Sequence, residues 1–322
     1  MTETDHATRY PWTPGDPLGE VLHLLRMRGV FYCRSEVSAP WALEMPAFED
    51  CASFHVVTSG EGVLEGPDPG TGPVRLGPGD LAVVPHGAGH VIRSEPAPLR
   101  AERVDLLPQE MIGEHYSVLR HGGGGERTVL VCGVVEFGHP TARRLMNALP
   151  PVVHFGDVGS SRGWAARRVL DIIADEAARV RPGGEAVLTR LADTLVILAI
   201  REWVESEAVP RSGWVPALRD PHIGRALAAV HRAPERPWTL SSLARESSMS
   251  RSAFATRFTA LVGESAMQYV TRWRMETAVE ALRAGATVAE VAARSGYDSE
   301  AAFARAFKRT TGSTPGSVRR LR

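Results

Sequence analysis

The chain has 322 residues, 43% of them hydrophobic and 23% charged, a length beyond one small core and a composition that excludes disordered, collagen-like and membrane-embedded classes. Formal net charge is zero, yet residues 216–322 hold 17 basic and 9 acidic side chains, against 20 and 28 in the preceding part. An acidic front and a basic back suit either a polyanion-binding domain at the C-terminal end or a merely solvated basic surface.

The N-terminal "MTETDHATRYPW" is too polar for a signal peptide, and the longest aliphatic run, residues 195–200, falls far short of the roughly 20 residues that cross a bilayer. The expected location is cytoplasmic. Cys33, Cys51 and Cys132 form no CxxC pair and leave an odd number, which speaks against a secreted disulfide framework. From about residue 21 to 107, apolar runs such as "FHVVTSGEGVLEG" and "VRLGPGDLAVVPHGAGHVI" are punctuated by Gly and Pro. Turn residues at that short, even spacing predict an all-β sandwich or barrel. "HGGGGERTVLVCGVVEFG" predicts a flexible glycine loop and then a further strand pair.

Beyond "NALPPVVHFGD" the period changes. "GWAARRVLDIIADEAARV" and "GEAVLTRLADTLVILAIREWVES" carry apolar residues at helical spacing, with "RPGG" as the break. Leu188, Leu191, Leu195 and Leu198 form one stripe that continues into Ile200 and Trp203. Such a stripe serves as ordinary core or as a homodimer seam, and its lack of polar relief favours the seam. Gly159-Ser160-Ser161-Arg162-Gly163 spells G-x-S-x-G. A nucleophile elbow needs a strand running straight into it and βα alternation after it, so a helix N-cap explains the serines better. "SEAVPRSGWVP" reads as a linker, and helical patterns follow it to the end.

The last hundred residues contain a repeat. Leu240, Leu243, Ala244 and Ser247 match Val288, Val291, Ala292 and Ser295 at an offset of 48; Phe254, Phe258 and Gly263 match Phe303, Phe307 and Gly312 at 49. Each unit predicts a short helix, a tight turn and a second helix locked to the core by a Phe pair at i, i+4, with a glycine at its C-terminus. Between the units, "MQYVTRWRMETAVEALRAG" predicts a rod of about 18 residues, about 27 Å long. A spacer of that length sets two recognition helices roughly 34 Å apart, one turn of duplex DNA. The faces opposite the Phe pairs are Arg251, Ser252, Ala255 and Thr256 in the first unit, and Glu300, Ala301, Ala304, Arg305 and Lys308 in the second. Small residues permit close approach to base edges, Arg305 has the reach for guanine O6/N7, and Lys308 and Arg309 suit phosphates.

This C-terminal region resembles the DNA-binding domain of AraC/XylS-type transcription regulators, above all in "GYDSEAAFARAFKRTTGSTP". The resemblance implies base-reading roles for Ser252, Ala255, Thr256, Glu300, Ala301 and Arg305, a double-stranded DNA operator and RNA polymerase as partners, and activation of transcription. "GDLAVVPHGAGH" resembles the second half-motif of cupin barrels through Gly79, Pro85, Gly87 and His90; the first half-motif departs, reading His55-Val56-Val57 where the family has His-x-His. With "APW", "FHVV" and "LPPVVHF", the front of the chain is similar to the cupin-type sensor domain that precedes such DNA-binding domains.

The expected fold is therefore α+β and multidomain: a cupin-like β-barrel sensor at about 1–150, a helical dimerisation segment at about 151–215, and an all-α double helix-turn-helix domain at about 216–322. A small-molecule effector would bind in the barrel mouth, lined by Trp41, His55 and His90. The resemblance also implies a possible divalent metal, held by His55, His90 and a thiolate such as Cys51. Two alternatives stay open: a metal-dependent cupin enzyme fused to a DNA-binding domain, and a regulator that senses oxidants through Cys33 or Cys51.

Overall fold

Asp16 and Pro17 open helix α1 (Pro17–His23) in the computed structural model, which describes residues 16–320 apart from residues 24, 26, 69, 138–139, 157–163, 180 and 207–211. The Asp16 carboxylate accepts from the Gly19 N–H at 2.9 Å, and proline at the first helical position has its φ already set for a helix. Among the described residues twelve strands follow: β1 (Met27–Ser38), β2 (Ala42–Met45), β3 (Cys51–Ser59), β4 (Gly62–Glu65), β5 (Val74–Leu76), β6 (Leu81–Val84), β7 (His90–Arg93), β8 (Glu102–Arg103), β9 (Gln109–Met111), β10 (Tyr116–Gly122), β11 (Arg127–Phe137) and β12 (Val153–Phe155). Helix α2 (Pro140–Ala148) precedes β12, and α3 (Trp164–Arg179) and α4 (Gly184–Glu205) follow it. Among the described residues eight further helices follow: α5 (Trp214–Ala217), α6 (Ile223–Arg232), α7 (Leu240–Glu246), α8 (Arg251–Val262), α9 (Ala266–Arg283), α10 (Val288–Arg294), α11 (Glu300–Thr311) and α12 (Pro315–Arg320). None of the described helices is long and apolar enough to cross a membrane.

The strands form two sheets, in the orders β12-β6-β3-β11-β1-β10-β9 and β5-β4-β7-β2-β8. They face each other as an open cupin-like shell rather than one closed barrel. Trp41, Leu43, Leu64 and Ile92 meet Val37, Val57, Ala82 and Leu130 in the core between them, all buried. Helices α3 and α4 pack on the outer side of the seven-stranded sheet, where Tyr32 and Phe54 lie 6.2 Å apart. Both faces of β3 are thus buried, and all seven residues of "CASFHVV" are buried, so the strand shows no inside–outside alternation.

Two compact units result, one holding β1 to α4 and the other α1 together with α5 to α12. Three sequence expectations change here. Residues 17–23 are a helix rather than the start of the β region, and Pro17 of α1 sits against Gly224 of α6. The glycine loop leads into one eleven-residue strand, β11, rather than a strand pair, because β1 lies between β10 and β11 and pairs with both. The stripe on α4 is core: Leu188, Leu195, Ile200 and Trp203 are buried within their own unit, and Leu191 and Leu198 half-buried. The stripe's apolar character therefore needs no second copy to account for it. Gly159 to Gly163 lie outside the described residues.

The repeat stands as two helix-turn-helix units, α7–α8 and α10–α11, joined by the 18-residue α9. The extra residue in the second turn is visible: four residues connect α7 to α8 and five connect α10 to α11. Gly263 (φ +89°) and Gly312 (φ +76°) end the second helices in the left-handed conformation that needs no Cβ. Each helix from α7 to α11 starts on a Ser or Thr whose hydroxyl accepts a backbone N–H of the first turn. In α11 the cap is Ser299, which accepts from Ala302 at 3.2 Å. Ser299→Ala is expected to cost about 1 kcal/mol of stability and Ser299→Gly only a few tenths, read by urea unfolding. Equal losses would mean that Ser299 acts through packing, not capping.

Candidate nucleic-acid interface and sensor cavity

The Phe pairs decide which face of each recognition helix is free. Phe254 and Phe258 (rings 5.5 Å apart), like Phe303 and Phe307 (5.4 Å), are at most 2% exposed. Phe303 and Phe307 sit among Met275, Leu282, Val291 and Val318. With a period of 3.6 residues, the opposite faces turn outward. Arg251, Ser252 and Thr256 are exposed on α8, with Ala255 half-buried. Glu300, Ala301, Arg305, Lys308 and Arg309 are exposed on α11, with Ala304 half-buried. Among the described residues Arg251, Arg305, Lys308 and Arg309 make no ion pair, whereas Arg257, beside them on α8, is held by Asp220 at 2.5 Å. The four unpaired cations are thus available to an external polyanion, and the paired one is already committed.

In the sheet-rich unit the three expected pocket residues part company. A cavity of about 520 Å³ lies between β1, β3, β9, β11 and the segment after β2, and His55 alone of the three lines it. Trp41, 0% exposed, lies at a second cavity of about 480 Å³ with Glu61, Arg75 and Asp80. His90 stands behind His55. Around His55 the donors can be assigned in one direction. His90 Nδ1 lies 3.0 Å from the Ala88 carbonyl, which can only accept, so it carries the proton. The His90 Nε2 is then an acceptor and takes the Nε2–H of His55 at 2.7 Å. The remaining His55 nitrogen, Nδ1, accepts the thiol of Cys132 at 3.1 Å.

Every member of this chain is neutral, and the local field agrees. Burial, with the neighbouring His90 second, holds the His55 imidazole well below its ordinary range, and burial lowers His90 as well. Burial, with Cys33 second, pushes the Cys132 thiol up. For a histidine whose folded pKa lies below the unfolded one, stability is full above about pH 6.5 and is lost as pH falls below it, because only the unfolded chain takes up the proton. The sheet-rich unit is therefore expected to lose stability from pH 7 to 5.5, and a His55→Gln, His90→Gln double variant to lose less over the same interval, measured by thermal unfolding. Parallel pH profiles would show that the pair is not buried and neutral.

The expected metal set is not brought together. Cys51 and His55 lie four residues apart on one regular strand, about 13 Å, and the two Nε2 atoms of the histidines are bound to each other. Among the described residues no group of three or more His, Cys, Asp or Glu is placed to hold a metal ion. Cys33 and Cys51 are likewise separated, since Cys33 faces Cys132 across β1 and β11 while Cys51 pairs with Glu136. Sequence reasoning missed Cys132, Phe31, Ser35, Ser53 and Gln109 as cavity residues. Alternation along β1 and β11 places Cys33 and Cys132 on the inner face, but only the register shows that they lie side by side with His55.

The family described as Cupin matches residues 16–205, and the helix-turn-helix domain family matches residues 243–321. An AraC-like transcription regulator of Streptomyces lividans is 32% identical over 308 residues, covering 95% of this chain and 98% of its own. The HTH-type transcriptional regulator AlkR of Acinetobacter baylyi is 30% identical over 311 residues, covering 94% and 99%. The RCS-specific HTH-type transcriptional activator RclR of Escherichia coli is 27% identical over 309 residues, covering 94% and 97%. Among solved structures, the C-terminal domain of AraT from Geobacillus stearothermophilus is 31% identical, covers 30% of this chain and 83% of its own, and superposes with a TM-score of 0.29. Since the cupin family spans more than half of the sequence and relatives at 30% identity and above span nearly all of it, the chain belongs to the AraC-type transcription regulators that carry an N-terminal cupin domain.

Proposed function

We propose that the protein is an effector-controlled activator: a small molecule enters the cavity beside His55, and its binding alters how the two recognition helices engage successive major grooves of one operator. The observation that carries this reading is the outward face of α11, where Arg305, Lys308 and Arg309 are exposed and unpaired among the described residues while Ala301 and Ala304 leave room for base edges. The E. coli relative's name as an activator supports activation, and with it a contact to RNA polymerase. Action as a cytoplasmic homodimer belongs to the proposal. A ligand shifts such an equilibrium only through its different affinity for the two states.

In vitro selection of bound duplexes, with and without candidate ligands, tests the reading. Winners are expected to share two short motifs about one helical turn apart. If about six phosphates are neutralised, log affinity falls against log salt with a slope near −5. A slope near zero would remove the phosphate contacts, and unrelated winners would remove sequence-specific recognition.

A further inference from the structure

The 520 Å³ cavity is of small-molecule size, within the range of roughly 300–1,000 Å³ usual for ligand sites. Its walls are mostly apolar: Phe31, Val134, Met45, Pro46 and Leu107 line it, and Val30, Phe48 and Met111 stand at 38%, 38% and 55% exposure on the same lining. Among the described residues no Lys or Arg lines it. The one carboxylate that lines it among the described residues, Asp105, has both oxygens held by Arg103, at 3.1 and 2.7 Å. His55 is spent as a neutral link between Cys132 and His90. The Gln109 amide is held in place, donating one N–H to the Val104 carbonyl at 2.8 Å and accepting from Ser117 at 2.6 Å. The hydroxyls of Ser53 and of Ser35, the latter 3.5 Å from the Cys33 Sγ, are buried on the inner face and keep hydrogen-bonding capacity for a guest, since a hydroxyl offers one donor and two lone pairs.

An ionised guest would exchange water for walls that offer it no counter-charge, which strongly disfavours it. We infer that this cavity takes an uncharged, largely apolar small molecule with one or two hydroxyl- or carbonyl-type groups, directed to Ser35 and Ser53, and that it rejects the carboxylate of the same skeleton. The inference deepens the proposed effector site and rests on that reading for its regulatory meaning, though not for binding itself.

The test uses the full chain with Nile red, an uncharged fluorescent probe, displaced by 1-decanol or by decanoate at pH 8 where both are monomeric. Saturable Nile red binding is expected, with displacement by 1-decanol at a concentration at least tenfold below that for decanoate. Val134→Trp, which fills the cavity from a half-buried position, is expected to abolish saturable binding. Met111→Arg, at an exposed position on the lining, is expected to keep binding and to shrink the tenfold preference by supplying a cation. Absence of saturable binding, equal displacement by both competitors, or a preference unchanged by Met111→Arg would each overturn the inference. If 1-decanol binds as described but leaves affinity for the selected operator unchanged, the ligand class stands and the effector reading falls.

Discussion

Phe303→Ala is expected to destabilise the C-terminal unit by about 3–5 kcal/mol, the cost of removing a fully buried ring and leaving its cavity. Phe303 is 0% exposed, packs 5.4 Å from Phe307 and 5.7 Å from Tyr297, and touches the same cluster that holds Met275 of α9 and Val291 of α10. Those contacts join α11 to both neighbouring helices, so the truncation loosens the recognition helix at its seat. Against a domain stability of roughly 5–15 kcal/mol, the loss is large enough to depopulate the folded unit near body temperature. Urea unfolding followed through the tryptophans of this unit measures it, and operator binding should fall in parallel. Thr310→Ala, on the exposed side of the same helix, should stay within about 0.5 kcal/mol. A loss below 1 kcal/mol for Phe303→Ala would mean that the ring does not anchor α11, and the assignment of its outward face would lose its basis.

The repeat was legible because helical geometry is local. Two phenylalanines four residues apart fix one face of a helix, a glycine ends it, and the opposite side chains follow from the 3.6-residue period without knowledge of any other element. The change of offset from 48 to 49 even located the longer second turn, which carries Gly296 at φ +74°, where a Cβ would fall 2.8 Å from the Glu235 carbonyl oxygen. The sheet-rich unit resisted for the converse reason. Helices cover the outer face of β3, so burial on both sides removed the alternation that tells inside from outside. Its cavity draws side chains from β1, β3, β9 and β11, and which of them meet depends on register, a long-range property. Trp41, His55 and His90 were grouped as the lining of one barrel mouth, the arrangement that the cupin resemblance implies. The structure sends the first to another cavity and the third behind the second. The α4 stripe was ambiguous in principle, since a helix face that covers a sheet and one that covers a second copy carry the same leucines.

Arg305→Ala is expected to relax base choice at one operator position at a cost of about 1–3 kcal/mol, some 5- to 150-fold in affinity for the preferred sequence and almost nothing for duplexes changed at that base pair. Arg305 lies in the middle of α11, exposed, two residues past Phe303, and among the described residues no carboxylate holds it. Ala301, one turn earlier, and Ala304 beside it present only methyl groups, so the helix can approach a base edge closely enough for a guanidinium to take guanine O6 and N7 together. Lys308 is one turn nearer the C-terminus, where a point charge suits a phosphate better than a base edge. Lys308→Ala should therefore weaken all duplexes about equally and reduce the salt slope by about one unit. The two variants separate the roles: one changes which sequence is preferred, the other how much salt the complex tolerates. Selection experiments with each variant, repeated at two salt concentrations, read both quantities. If Arg305→Ala retains the parental sequence preference and only lowers the salt slope, Arg305 holds a phosphate, and the bases are read by other residues of α8 and α11.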